Sequence, residues 1–246
     1  SRSRMIIDHT LNGAPMGAET APGPAQFQLS LTAANAVDRV EFLKDNILEK
    51  MIVHSGTWER QPLPGRFAFK FEVEFGWGPE TRLFPDAAVK VWEGSLRVPG
   101  RLLGVEKLWN SFGQQILEQR NDGCDFRLTT HRGTETGKWM GPSQVRRESL
   151  VFEVEGTIDD VLTLTVDGEQ YALPVRMLLQ GTRIYAQYRQ CEQRITEKFG
   201  PTPHYRDDFI WHCAFKFRVR RAVPSAAYTV NESFSTTLDA GSQYRL

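Results

Sequence analysis

The sequence has no charge surplus, few cysteines, no long apolar run and none of the common catalytic signatures. Thirty basic residues balance thirty acidic ones, so no bulk field draws the chain to nucleic acid or to an anionic membrane, and neither is expected as a partner. The three cysteines, Cys124, Cys191 and Cys213, are odd in number and lack C-x-x-C spacing. That signals neither a disulfide framework nor a zinc knuckle, and all three read as buried thiols. No apolar run approaches the roughly 18 residues that span a bilayer, and no basic-then-apolar leader precedes the first strand-like run. The compartment is left open. G-x-S-x-G, the P-loop and G-x-G-x-x-G are missing, so a nucleophile elbow or phosphate cradle has no support. The five histidines, His9, His54, His131, His204 and His212, lack H-x-H or H-E-x-x-H spacing. They read as surface or hydrogen-bonded structural residues, and no metal or cofactor is expected in this chain.

What the chain does have is two-residue alternation, the period of a β-strand. With 246 residues, 40% of them hydrophobic, it can bury one large β domain or two smaller ones. Phe67, Phe69, Phe71, Val73 and Phe75 share one face of a strand and Ala68, Lys70, Glu72 and Glu74 the other, which predicts a half-buried antiparallel strand. Similar runs cover Gln26 to Thr32, Val37 to Leu43, Val89 to Trp92, Leu150 to Glu155, Val161 to Val166 and Phe209 to Val219. Asn12-Gly13 and Asp167-Gly168 are turn dipeptides suited to positive φ. One segment departs from alternation. Ile184, Tyr188, Cys191, Ile195 and Phe199 recur every three or four positions until Gly200-Pro201, which predicts an amphipathic helix near 182–199. A weaker helical pattern covers Gly113 to Gln119. Gln61 to Gly65 and the polar stretch His131 to Arg147 read as surface loops.

These patterns predict a mainly β fold, an antiparallel β-sandwich with an immunoglobulin-like module over 1–75 and a larger, jelly-roll-like sandwich over 76–206. Returning strands would fill 207–246. Tyr244-Arg245-Leu246 reads as the opening of a strand without partner or closing turn, so the C-terminus reads as incomplete. Ser1 to Ile7 enters a strand-like run at once. Both ends suggest a piece of a larger protein.

Residues that could carry chemistry are scattered. Asp159-Asp160 reads as a turn and Asp207-Asp208 as a polar lead into a strand, since adjacent strand residues point to opposite faces. His212 falls between Trp211 and Cys213, opposite the aromatic stripe of that predicted strand. The six tryptophans are the best argument for a ligand, because ring faces stack on the apolar side of a pyranose. Trp58 and Trp139 lie in polar, loop-like contexts. Trp77, in Gly76-Trp77-Gly78-Pro79, reads as packed across a sharp bend. Trp58, Trp139 and Trp77 are therefore the candidate ligand-binding residues.

Three stretches resemble a known family. Arg4-Met5-Ile6-Ile7-Asp8 with Leu11 to Gly17 is similar to the segment that follows the catalytic barrel in the PHP-like metal-dependent hydrolases. Val37 to Asp45 is similar to that family's next strand, and Phe209 to Lys216 with Arg221-Ala222-Val223-Pro224 resembles a segment shortly before its C-terminus. The resemblance implies that nearly the whole chain is the family's C-terminal β region. The family's metal-binding His and Asp motifs belong to the barrel and have no matching positions here. It implies a non-catalytic accessory region that packs on, or shapes the substrate cleft of, a catalytic domain of the same parent protein. Met5, Met16 and Phe27 would cover that interface, which requires a large exposed apolar patch. The alternatives are a carbohydrate-binding module using exposed tryptophans and a β-sandwich polysaccharide-active enzyme.

Overall fold

The computed structural model describes residues 5–79, 81, 83–107, 114–132, 145–201 and 207–246. In chain order the strands are β1 (Met5–Leu11), β2 (Ala14–Pro15), β3 (Gly23–Ala33), β4 (Arg39–Lys44), β5 (Ile47–Val53), β6 (Phe67–Trp77), β7 (Val89–Arg97), β8 (Arg101–Lys107), β9 (Gln115–Arg120) and β10 (Gly123–Arg132). They continue with β11 (Val145–Arg146), β12 (Glu148–Gly156), β13 (Val161–Val166), β14 (Glu169–Pro174), β15 (Arg183–Ala186), β16 (Lys216–Val219), β17 (Val223–Pro224), β18 (Thr229–Leu238) and β19 (Tyr244–Arg245). The helices are α1 (Val175–Gln180), α2 (Tyr188–Phe199), α3 (Asp207–Cys213) and α4 (Ser225–Tyr228). The chain is mainly β, arranged in antiparallel sheets, and it divides into two units: Ser1–Lys70 with Val223–Leu246, and Phe71–Ala222.

The first unit is a sandwich of a four-stranded sheet, β18-β3-β1-β2, and a three-stranded sheet, β19-β4-β5. Alternation in β3 sets its polarity. Ala25, Phe27, Leu29, Leu31 and Ala33 are buried, whereas Gln26, Gln28 and Ser30 are exposed. Phe27 meets Phe42 of β4 at 5.0 Å between ring centroids and Phe234 of β18 at 4.8 Å, joining the two sheets through one aromatic core. The Asn12-Gly13 turn between β1 and β2 has φ of 52° and 77°, the left-handed values that this pair tolerates. Tyr244 and Arg245 do have a partner: they pair with Lys44 and Leu43 of β4, and the Asp45 amide donates to the Gln243 carbonyl at 2.8 Å.

The second unit is also a two-sheet sandwich. One sheet runs β11-β10-β7-β13-β14 with β9 on β10, and the other runs β15-β16-β6-β12-β8. Phe75 of β6 lies at its centre, 5.2 Å from Trp92, 5.9 Å from Phe126 and 5.5 Å from Phe217. Gly94 permits this packing, because a Cβ there would fall 2.3 Å from Phe126 Cζ. Trp92 keeps its indole N–H satisfied by donating to Thr130 Oγ1 at 2.8 Å. Asp167 and Gly168, at φ of 49° and 84°, close the β13–β14 hairpin as the dipeptide suggests. Cys124, Cys191 and Cys213 are free and buried.

Several local expectations are corrected. β6 is not half-buried: it lies inside its sheet between β16 and β12, so Lys70 and Glu74 on its polar face are buried as well. The helix expected near 182–199 begins only at Tyr188, because Arg183–Ala186 pairs with β16 first; it ends at Gly200 as expected. There is also more than the one expected helix. The run Phe209 to Val219 is split into helix α3 and strand β16, with the Ala214 amide donating to Ile210 O at 2.9 Å and the Cys191 thiol to the same carbonyl at 3.4 Å. An apolar run so dense satisfies helical and strand periods equally, and packing of α3 on α2 decides. It also places Asp207 and Asp208 in a helix rather than before a strand. The weak helical pattern at Gly113 to Gln119 becomes β9 over its described part, because β10 offers a free edge to pair with.

Candidate functional site

Two features could support function, and each belongs to one unit. In the first unit, β5 is an edge strand whose only sheet neighbour among the described residues is β4. Its Ile47, Leu48, Met51 and Val53 are 72%, 51%, 47% and 55% exposed. A bulge between Phe42 and Leu43 sets Leu48 opposite Leu43 and Met51 opposite Glu41, while Ile52 turns inward against the core. β1 behaves similarly. Among the described residues β2 covers its edge at Thr10 and Leu11 alone, and Met5, Ile6 and Ile7 are exposed. An open strand edge is a template for pairing and is normally blunted by charge or proline; on β5 the exposed Glu49 and Lys50 supply charge between the apolar pairs. Burying a side chain of this size fully is worth about 1.5–3 kcal/mol, so four half-exposed ones leave several kcal/mol unused.

In the second unit a charged group gathers on the sheet that holds β6. Glu74 is 7% exposed, and its Oε2 accepts from Arg218 at 2.6 Å and Arg220 at 2.7 Å, while Arg147 lies 3.6 Å from Oε1. Arg220 also reaches Glu72 at 3.1 Å through Nε, as an ion pair without hydrogen-bond alignment. Trp77 joins them through a bulge. Phe217 pairs with Phe75 but Lys216 pairs with Trp77, so Gly76, at φ 123°, is one extra residue on β6. The extra residue shifts the alternation by one place and brings Trp77 onto the Glu74 face. The guanidinium carbons of Arg147 and Arg218 then stand 4.4 and 4.7 Å from its ring centroid. The neighbouring Lys216 amine is held below its ordinary value by burial and, secondarily, by the Arg132 charge; it donates to Trp211 O.

Neither described candidate tryptophan is a bare surface plate. Trp58 sits in a short 3₁₀ turn and packs half-buried against the core of the first unit, and Trp77 lies under the two guanidinium groups. Trp139 and His204 lie outside the described residues. Of the three side chains expected at an interface, Met5 and Met16 are exposed, but Phe27 is 1% exposed and belongs to the core, because β3 alternates inward at that position. His212 lies on α3 rather than on a strand, and it is exposed. His54 donates from Nε2 to Ala226 O at 2.8 Å, a structural role. His9 borders a cleft of about 710 Å³ in the first unit, beside Met16, Phe27, Phe42 and Tyr244, and its buried Nδ1 has no hydrogen-bond partner. Among the described residues no three His, Cys, Asp or Glu side chains are placed to hold a metal ion, and no helix is long and apolar enough to cross a membrane.

The charged group was missed because its members are spread from position 72 to position 220. The signal was present all the same: Glu72-x-Glu74 and Arg218-x-Arg220 repeat at the strand period, each pair on the face opposite a phenylalanine row. Comparison with protein-family models, curated proteins and solved structures finds no match.

Proposed function

We propose that this chain is a non-catalytic accessory β-sandwich region of a metal-dependent hydrolase, packing the apolar strands of its first unit on a catalytic domain of the same parent protein. The observation that supports packing is β5, an edge strand with four exposed apolar side chains. The hydrolase identity of the partner rests on the resemblance of Arg4 to Asp8, Leu11 to Gly17, Val37 to Asp45 and Phe209 to Pro224 to the PHP-like family. β5 can contribute in two ways, by backbone pairing along its free edge and by burial of Leu48, Met51 and Val53.

The test mixes the chain with a separately produced PHP-like barrel and measures association by analytical ultracentrifugation. The expected result is a stoichiometric complex that Leu48→Lys with Met51→Lys abolishes. No complex, together with retention of the chain on a glycan column, would replace this reading with the carbohydrate-binding one.

A further inference from the structure

The charged group around Glu74 holds more cations than its own anions require. Among the described residues its ion pairs join five charged groups, Glu72, Glu74, Arg147, Arg218 and Arg220, three positive and two negative. A group built only to hold strands together gains nothing from the surplus, because each extra buried or half-buried cation adds desolvation cost and repels its neighbours. Three guanidinium groups carry far more N–H donors than one Glu74 carboxylate and one Glu72 oxygen can accept. The Arg147 and Arg220 side chains are 41% and 40% exposed, so each is partly open to solvent, although Arg220 Nε itself is buried. The groups are also held in place. Arg218 and Arg220 are bonded to the same Oε2, and Arg147 and Arg218 rest on Trp77. An arginine fixed in this way loses little side-chain freedom when it binds a further acceptor.

We propose that Arg147, Arg218 and Arg220 form an oxyanion-binding site over Trp77, in which Glu74 sets the guanidinium positions and an external oxyanion takes the remaining donors. The ligand class is a small molecule or glycan bearing a phosphate ester or a uronate carboxylate, the planar or tetrahedral oxyanions that a guanidinium fork recognises. Binding would neutralise the surplus charge. The partly buried setting makes each charge-assisted hydrogen bond stronger than it is on open surface.

The experiment is titration of the full chain with inorganic phosphate and, separately, with galacturonate, each at ionic strength matched with sodium chloride. Binding is read by calorimetry and by the shift in thermal midpoint. Saturable binding of phosphate or galacturonate above the chloride baseline is expected, and the stronger of the two identifies which oxyanion the site takes. Arg147→Gln, which removes the most exposed fork, is expected to weaken binding about tenfold, the equivalent of one charge-assisted hydrogen bond. Two results would overturn the proposal: neither anion binding above chloride, or Arg147→Gln binding as tightly as the parent chain. Should that variant not fold, the comparison of both anions with chloride on the parent chain decides alone.

Discussion

The two units use the same material, antiparallel strands with alternating apolar residues, and finish differently. In the second unit the apolar row of β6 is enclosed: Phe71, Val73 and Phe75 are buried, and Phe75 touches aromatic rings from β7, β10 and β16. In the first unit β3 is enclosed in the same way, but β5 and the start of β1 keep their apolar side chains in solvent. Strand pattern therefore states which residues want burial. Whether they obtain it within the chain depends on sheet order, and among the described residues β5 has a neighbour on one side only.

Breaking the enclosed side of this comparison should have the largest effect. Phe75→Ala empties the centre of the second core and is expected to cost about 3–5 kcal/mol of that unit's stability. Denaturant unfolding followed by circular dichroism should show one transition moving while the other stays; a single shifted transition would mean that the units do not unfold separately. Glu74→Gln comes next, at about 3 kcal/mol, because it leaves guanidinium groups facing one another without their shared carboxylate. A loss under about 0.5 kcal/mol would show that water already satisfies those arginines.

The buried thiols sharpen the comparison at alkaline pH. Burial pushes Cys124 and Cys191 of the second unit up to about 11. The folded state then holds protons that the unfolded chain releases near the ordinary thiol value of 9.0, so this contribution is complete below 9.0 and is lost as pH rises toward about 11. We expect stability to fall across that window and Cys124→Ala to flatten the fall; an unchanged slope would contradict the burial effect. On the open side, Leu48→Lys with Met51→Lys should change stability by no more than about 0.5 kcal/mol, since those side chains are already solvated. A larger loss would mean that β5 is covered in solution, for instance by self-association, which sedimentation would reveal.

Much of this architecture could be read from residues alone. The inward phenylalanines of β6, the two turn dipeptides and the helix stop at Gly200 all follow from local rules that leave little choice. The misreadings arose where local rules tie. Phe209 to Cys213 is apolar enough for either period, and Leu117 in β9 mimics a helical stripe while pointing into solvent. The charged site was legible only as two separate pairs, because the order β16-β6 that joins Arg218 to Glu74 is a tertiary fact. The exposure of β5 was least legible of all, since nothing in Ile47 to Val53 distinguishes a strand awaiting a cover from one already covered.

Gly76 has a consequence for how such a sequence can change over generations. Substitutions along β6 alter one side chain at a time, but a one-codon insertion between Gly76 and Trp77 would shift the alternation once more and turn the tryptophan toward the Phe75 side. The arginines would lose their ring without any of them being replaced. The charged site is thus inherited through the length of one strand as much as through the identity of its residues.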